Sequence, residues 1–325
     1  MALRNPDTTA YGSGGALAGD VLGAYLRTQA VAFLRALRLH TEAAGSAPAG
    51  GAAAADAAEA ARGLRGAARR IAGSLTTFRA VTDSAWADGL RGELAWLSAV
   101  LADEHTSAAL PARLLDALHR LSGSPDRPGG AAGGGLAAGP LRAAALLERQ
   151  LAPARARAHA AALQAMGSSR FHAVVDAVAV LASEVPLDPV AAQGPVADVL
   201  VPLAAVPRAR LEAAVAALPR PAQAPPYDAG QDGSWHEVRH LLRIHRYARE
   251  ALGEDVARPA EAGGALARQG DAAEAAAASA AAARTPRIAP ATAYALGVLH
   301  ADQRHEAEAA RRAFHRIWHP APTPA

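Results

Sequence analysis

Two stretches of this 325-residue chain, Arg62 to Phe78 and His236 to Leu252, carry the same layout of charge and apolar residues. A constant offset of 174 residues pairs Arg62 with His236, Arg65 with Arg239 and Arg69 with Arg243. The same offset sets Leu64, Ala67, Ala68, Ile71 and Phe78 opposite Val238, Leu241, Leu242, His245 and Leu252. Apolar groups at i, i+3, i+4 and i+7 form the stripe of a helix packed by one side. Each stretch is therefore expected to be a helix with one buried face and one basic face. At about 100° per residue, His236, Arg239, Arg243 and Arg246 share an arc of about 80° and cover about 15 Å of axis. A row of that length suits an extended polyanion.

The rest of the composition agrees with helices. The chain is rich in alanine, leucine and arginine without β-branched runs, and these residues lose little rotamer freedom on a helix. A hydrophobic fraction of 51% is adequate for a core, although alanine inflates it, and aromatics are only 4%. An all-α fold follows. There is no lysine, so all 33 basic residues are arginine. GC-rich codon usage accounts for that choice, yet its physical consequence stands: guanidinium stays charged and presents a planar fork that matches phosphate oxygens. The formal net charge is only +3, so an anion site has to arise from clustering. Clustering is present. Arg62 to Arg79 holds five arginines and no acid, whereas Asp83 to Glu104 holds Asp83, Asp88, Glu93, Asp103 and Glu104 against Arg91 alone.

Residues 1–17 read as a disordered tail, 18–122 as a first helical half, 123–140 as a glycine- and proline-rich flexible linker, 141–318 as a second helical half with a loop at 219–234, and 319–325 as a tail. Within these, helices are expected from Val21 to Leu37, Trp86 to Leu101, Leu110 to Leu121, Leu141 to Met166, Ser169 to Leu181, about Arg208 to Leu218, and Ala293 to Trp318. Ala43 to Ala55 reads as a loop before the first basic helix, and Asp232-Gly233-Ser234 as the cap of a helix beginning near Trp235. The repeated layout implies two pseudo-repeated helical bundles about a basic cleft.

At these residues the chain resembles the CHAD family, the conserved histidine α-helical domains associated with inorganic polyphosphate. The resemblance covers roughly residues 18–318. Trp235-His236-Glu237-Val238-Arg239-His240 through Arg243, Arg246 and Tyr247 is similar to the family's basic His-x-x-Arg helix. Arg65-Gly66-Ala67-Ala68-Arg69-Arg70 with Phe78-Arg79 resembles its Arg-x-x-x-Arg-Arg helix, and Ser168-Ser169-Arg170-Phe171 its Ser-x-Arg-Tyr turn. Ala295-Leu296-Gly297 to Phe314 and Trp318 looks like the close of actinobacterial members. The chain is a divergent member by this reading. Arg62 stands where the family has its first histidine, Ala102-Asp103-Glu104-His105-Thr106 replaces a Gly-x-x-Arg-Asp signature, and Ala267-Arg268-Gln269-Gly270-Asp271 replaces Gly-Glu-His-Gln-Asp.

The resemblance implies non-enzymatic binding of inorganic polyphosphate by Arg62, Arg65, Arg69, Arg70, His236, Arg239, His240, Arg243 and Arg246. Two other readings stand beside it. One is a structural or interaction protein that has lost this ligand, argued from the missing histidines. The other is a non-specific nucleic-acid module, disfavoured because single-strand binding usually adds aromatic stacking platforms and only Tyr247 adjoins the row.

His245 falls on the apolar stripe and is expected to be a packed core histidine. His315 and His319 share an i, i+4 face, but no carboxylate or cysteine completes a coordination sphere, so no metal or other cofactor is expected. No nucleophile elbow, P-loop, His-Glu-x-x-His or strand-borne Gly-x-Gly-x-x-Gly occurs, and Gly133-Gly134-Gly135 sits in the linker. With no cysteine, disulfides and thiolate chemistry are excluded. No secretory leader or apolar span is legible, and cytoplasmic residence at polyphosphate granules is expected.

Overall fold

The computed structural model describes residues 15–45, 51–122, 134–219 and 229–319. Among them the chain is all-α, with helices α1 (Ala18–Gly45), α2 (Gly51–Thr77), α3 (Ser84–Ser122), α4 (Gly134–Met166), α5 (Ser169–Ser183), α6 (Val196–Ala216), α7 (Asp232–Ala251), α8 (Ala257–Ala283) and α9 (Pro290–Trp318). The described residues contain no strand, only the isolated bridges Leu17 to Pro195 and Thr82 to Leu187. They form two compact units. The first comprises the described parts of Met1–Ala102, Leu163–Val215 and His240–Pro259, and the second those of Asp103–Ala162, Ala216–Arg239 and Ala260–Ala325.

Several helices run further than periodicity alone suggests. Leu90, Leu94, Leu97 and Leu101 share one continuous helix with Leu114 and Leu118, because α3 passes through Pro111. Proline removes one amide from the helical ladder, but buried leucines on both sides keep the helical path favourable. Likewise α6 contains Pro202 and the buried Pro207, where a helix was expected only from Arg208. Residues 134–140, expected in a linker, open α4, and α2 starts at Gly51 inside the expected Ala43 to Ala55 loop. In the alanine-rich stretch after Leu252, α8 begins as early as Ala257. Leu17, expected in the tail, bridges to Pro195. Residues 43–45 close α1, Ala229–Gln231 form a 3-10 turn and 232–234 open α7. The remaining expected tails and loops, 1–14, 46–50, 123–133, 220–228 and 320–325, lie outside the described residues.

In the first unit, α1 and α2 pack through Leu22, Leu26, Phe33, Leu64, Ile71 and Phe78, all at most 1% exposed. α5 adds Val174, Val178 and Leu181 to the same core. The entries to α1 and α6 are tied together, Ala18 N donating to Gly194 O at 2.9 Å and Val196 N to Ala16 O at 3.1 Å. At the restart of α5, Ser168 is the cap: Phe171 N donates to its hydroxyl at 3.2 Å.

His245 belongs to this unit and is buried, as the stripe requires. Burial, reinforced by the nearby Arg249 and Arg208 guanidiniums, pushes its imidazole down to about 4. Its neutral form is therefore retained in the folded protein while the unfolded chain takes up a proton below about pH 6.5. Stability is lost as pH falls through that window, because the unfolded state binds the extra proton. Between pH 7 and 4.5 the wild-type protein is expected to lose about 2 kcal/mol more than His245→Leu. Urea unfolding of both proteins at the two pH values checks this; parallel losses would remove His245 from the acid response.

The second unit assembles α9 against α3, α4 and α8 through Leu114, Leu118, Leu147, Ala275, Leu296 and Leu299. Its largest buried groups are Trp235, Phe314 and, less expectedly, Arg304, which is 1% exposed. Trp235 meets Phe314 edge-on at 5.7 Å between ring centroids, and the Arg311 guanidinium lies 5.4 Å from the Trp235 ring. Asp232 opens α7 as its first residue, so it does not act as the cap of a helix beginning near Trp235. Its carboxylate accepts from Arg304 Nη1 at 2.8 Å and from Arg311 Nη2 at 2.5 Å. Burial pulls the Arg311 guanidinium below its usual range, an effect that Asp232 opposes and Arg304 adds to. Asp232→Ala would leave two buried cations without this anion, and such losses cost about 3–5 kcal/mol. Chemical denaturation should register that loss; a change below about 1 kcal/mol would show that the pair is not what carries these arginines into the core.

Candidate functional site

The first basic row lies on α2, within the first unit. The apolar stripe turns Leu64, Ala67, Ala68 and Ile71 into the core, which leaves Arg62 exposed and Arg65, Arg69 and Arg70 half-buried on the other side. The second row lies on α7 and is divided. His240, Arg243 and Arg246 belong to the first unit, whereas His236 and Arg239 belong to the second. His236 and His240 are exposed; Arg239, Arg243 and Arg246 are half-buried.

Within the first unit α2 and α7 meet at a glycine. A Cβ on Gly73 would lie 2.7 Å from Tyr247 Cδ2, so the absence of a side chain is what admits the tyrosine ring. Tyr247, itself buried, then has two guanidiniums near its ring: Arg70 from α2 at 5.6 Å and Arg246 from its own helix at 5.2 Å. Both arginines also share a carboxylate. Arg70 Nε donates to Glu250 Oε2 at 2.7 Å, and Arg246 Nε lies 3.1 Å from Glu250 Oε1. From α1, the Tyr25 hydroxyl donates to the same Oε2 at 3.2 Å. Burial, then the Glu250 charge, raises the Tyr25 phenol far above its ordinary range and keeps it a proton donor. Arg70 is shifted upward, the hydrogen bond and charge of Glu250 outweighing the opposing cost of burial.

Sequence reasoning did not find Glu250. It lies four residues after Arg246, which marks it as an intrahelical partner, but its pairing with Arg70 spans 180 residues. Two of the expected ligand contacts, Arg70 and Arg246, are thus already engaged by a protein anion.

In the second unit Arg239 packs against α8 at Gly270, where any Cβ would collide with its Nη1 atom. Nearby on α8 the Glu274 carboxyl is held above its usual range, chiefly by partial desolvation and then by Asp271, while Arg239 pulls it back. The surroundings of Arg239 are therefore more acidic than the row on α7 suggests. The turn at Ser168 places Arg170 Nε 2.6 Å from Glu93 Oε2, with the guanidinium 4.1 Å from the Trp96 ring. At the histidine-rich end, His300 Nδ1 is 3.0 Å from the Ala276 carbonyl, and the His315 and His319 rings stack at 6.3 Å. Among the described residues no group of three or more histidines, aspartates or glutamates could hold a metal ion. None of the described helices is long and apolar enough to cross a membrane.

The α2–α7 contact yields a stability expectation. Gly73→Ala gains up to about 1 kcal/mol of helix propensity but forces the ring of Tyr247 outward, and overpacking of this kind costs about 1–3 kcal/mol. Thermal unfolding is expected to show a lower Tm for the variant. A raised Tm would mean that Tyr247 is not seated against Gly73.

A family model for the CHAD domain matches residues 33–275. Among solved structures, PptA from Streptomyces chartreusis is 55% identical with a TM-score of 0.76, the match covering 93% of this chain and 99% of that one. The CHAD domain from the plant Ricinus communis is 20% identical with a TM-score of 0.57, covering 100% of this chain and 99% of that one; at this identity the likeness speaks for the fold alone. No curated protein sequence matches.

Proposed function

The chain belongs to the CHAD domain family, and we propose that it binds inorganic polyphosphate, without catalysis, along the arginine-bearing faces of α2 and α7. The observation that carries this reading is the meeting of the two rows in the first unit, where Gly73 seats Tyr247 and guanidiniums from both helices, Arg70 at 5.6 Å and Arg246 at 5.2 Å, lie near its ring. Arg62, Arg65 and Arg69 extend the row along α2; His240 and Arg243 do so along α7, with His236 and Arg239 earlier on the same helix. Guanidinium suits phosphate oxygens through a bidentate fork, and a polymer with one negative charge per phosphate matches cations spaced by helical turns. The contacts are made to a backbone with no sequence to read, so affinity is electrostatic. Retention at polyphosphate granules follows from affinity for the polymer.

A second reading, an interaction protein without this ligand, is favoured by one observation. Arg70 and Arg246 already have Glu250 as a counter-ion. A nucleic-acid module has less support, since the buried Tyr247 is stacked with protein groups and offers no open platform for bases.

Salt titration separates these. By analogy with single-stranded nucleic acid, each neutralised phosphate contributes about 0.7 to the slope of log K against log salt, so six contacts give a slope of about −4. Isothermal titration with long-chain polyphosphate at several salt concentrations is expected to show such a slope, with single-stranded DNA and heparin competing weakly. No heat of binding at low salt would favour the ligand-free interaction protein, and equal affinity for DNA would favour the nucleic-acid module.

A further inference from the structure

Glu250 sits among the cations that the row presents, and its two oxygens face guanidiniums from two helices, Arg70 Nε of α2 at 2.7 Å and Arg246 Nε of α7 at 3.1 Å. Tyr25 of α1 holds the carboxylate from a third direction at 3.2 Å. The cluster therefore carries two positive charges and one negative one, and its anion is already at contact distance. Arg70 spends its Nε, one tine of the fork by which arginine grips phosphate, on a hydrogen bond to the carboxylate, and Arg246 Nε faces the other oxygen at ion-pair distance.

We infer that Glu250 is a built-in competitor for phosphate at Arg70 and Arg246, and that it makes this part of the row selective for polymers over short phosphates. The inference rests on the polyphosphate reading. A carboxylate anchored within the fold competes as a tethered group, whose effective concentration does not depend on what is dissolved around it. Orthophosphate or tripolyphosphate has few or no other contacts and arrives at its bulk concentration, so the carboxylate wins. A long chain engaged elsewhere on α2 or α7 presents its next phosphates as tethered groups too, and meets Glu250 on equal terms. Affinity at Arg70 and Arg246 thus becomes a reward for length.

The test is isothermal titration of the full chain with orthophosphate, tripolyphosphate and long-chain polyphosphate at fixed salt, using wild type, Glu250→Gln and Glu250→Asp. Glutamine keeps the size and one acceptor but removes the charge, whereas aspartate keeps the charge. Glu250→Gln is expected to bind tripolyphosphate at least fivefold more tightly than wild type and the long chain less than threefold more tightly. Glu250→Asp is expected to show no comparable gain for tripolyphosphate. Folded Glu250→Gln, verified by circular dichroism, that binds tripolyphosphate no more tightly than wild type overturns the inference. If Glu250→Gln does not fold, Tyr25→Phe decides: loosening the carboxylate should raise tripolyphosphate affinity, and no gain overturns the inference. Long-chain binding by wild type with no gain in the variant leaves the polyphosphate reading standing alone. Binding by the variant but not by wild type supports the competitor and removes the reading for the native chain. Absence of binding in both overturns both.

Discussion

Alanine fills little volume per helical turn, and the helix packing of the second unit depends on that. On α8 the buried face is Ala262, Ala265, Ala272, Ala275, Ala276 and Ala282, with Leu266 as its one larger apolar member, all at most 1% exposed. Interiors close to organic-crystal density leave no room for voids along such a face, so neighbouring helices have to come close. The approaches are visible at individual residues. A Cβ on Gly139 of α4 would come within 2.6 Å of the Ala291 carbonyl oxygen of α9, and one on Gly73 would strike Tyr247. Close approach makes the few large side chains decisive, since each has to fit where its neighbours leave space.

Arginine is drawn into that role. With four tryptophans and four phenylalanines in the whole chain, volume in the second unit is supplied partly by Arg304 and Arg311. A buried guanidinium brings length and planarity for stacking on Trp235, but it also brings a charge that has to be matched. Asp232 matches two of them at once. Glu250 does the same in the first unit for Arg70 and Arg246, with the difference that these two remain half-buried and border the row. One structural device, a carboxylate shared by two arginines, thus serves a core in one unit and the edge of a candidate ligand surface in the other.

This bears on how charge on a helix face is translated into binding. An arginine row has a nominal charge that can be counted, but the charge presented to a ligand is what remains after protein anions take their share. At α2 and α7 that share falls on Arg70 and Arg246; in the second unit Asp271 and Glu274 soften the surroundings of Arg239. The guanidinium of Arg62 is permanently charged, and carboxylates moderate the charge of the row elsewhere.

By itself the sequence determined the all-α class, the stripes of α2 and α7, the burial of His245 and the helix restart at Ser168-Ser169. These are local consequences of a 3.6-residue period and of short-range hydrogen bonds, so they need no knowledge of distant contacts. Helix lengths were less legible, because Pro111, Pro202 and Pro207 read locally as breaks while the packing on either side of them carries the helix through. Which charges are cancelled was decided only by the tertiary structure. Glu250 is 180 residues from Arg70, and Asp232 is 72 and 79 residues from Arg304 and Arg311. No periodicity links such positions; a side chain's partner across that distance is set by which helices the small-residue faces allow to meet.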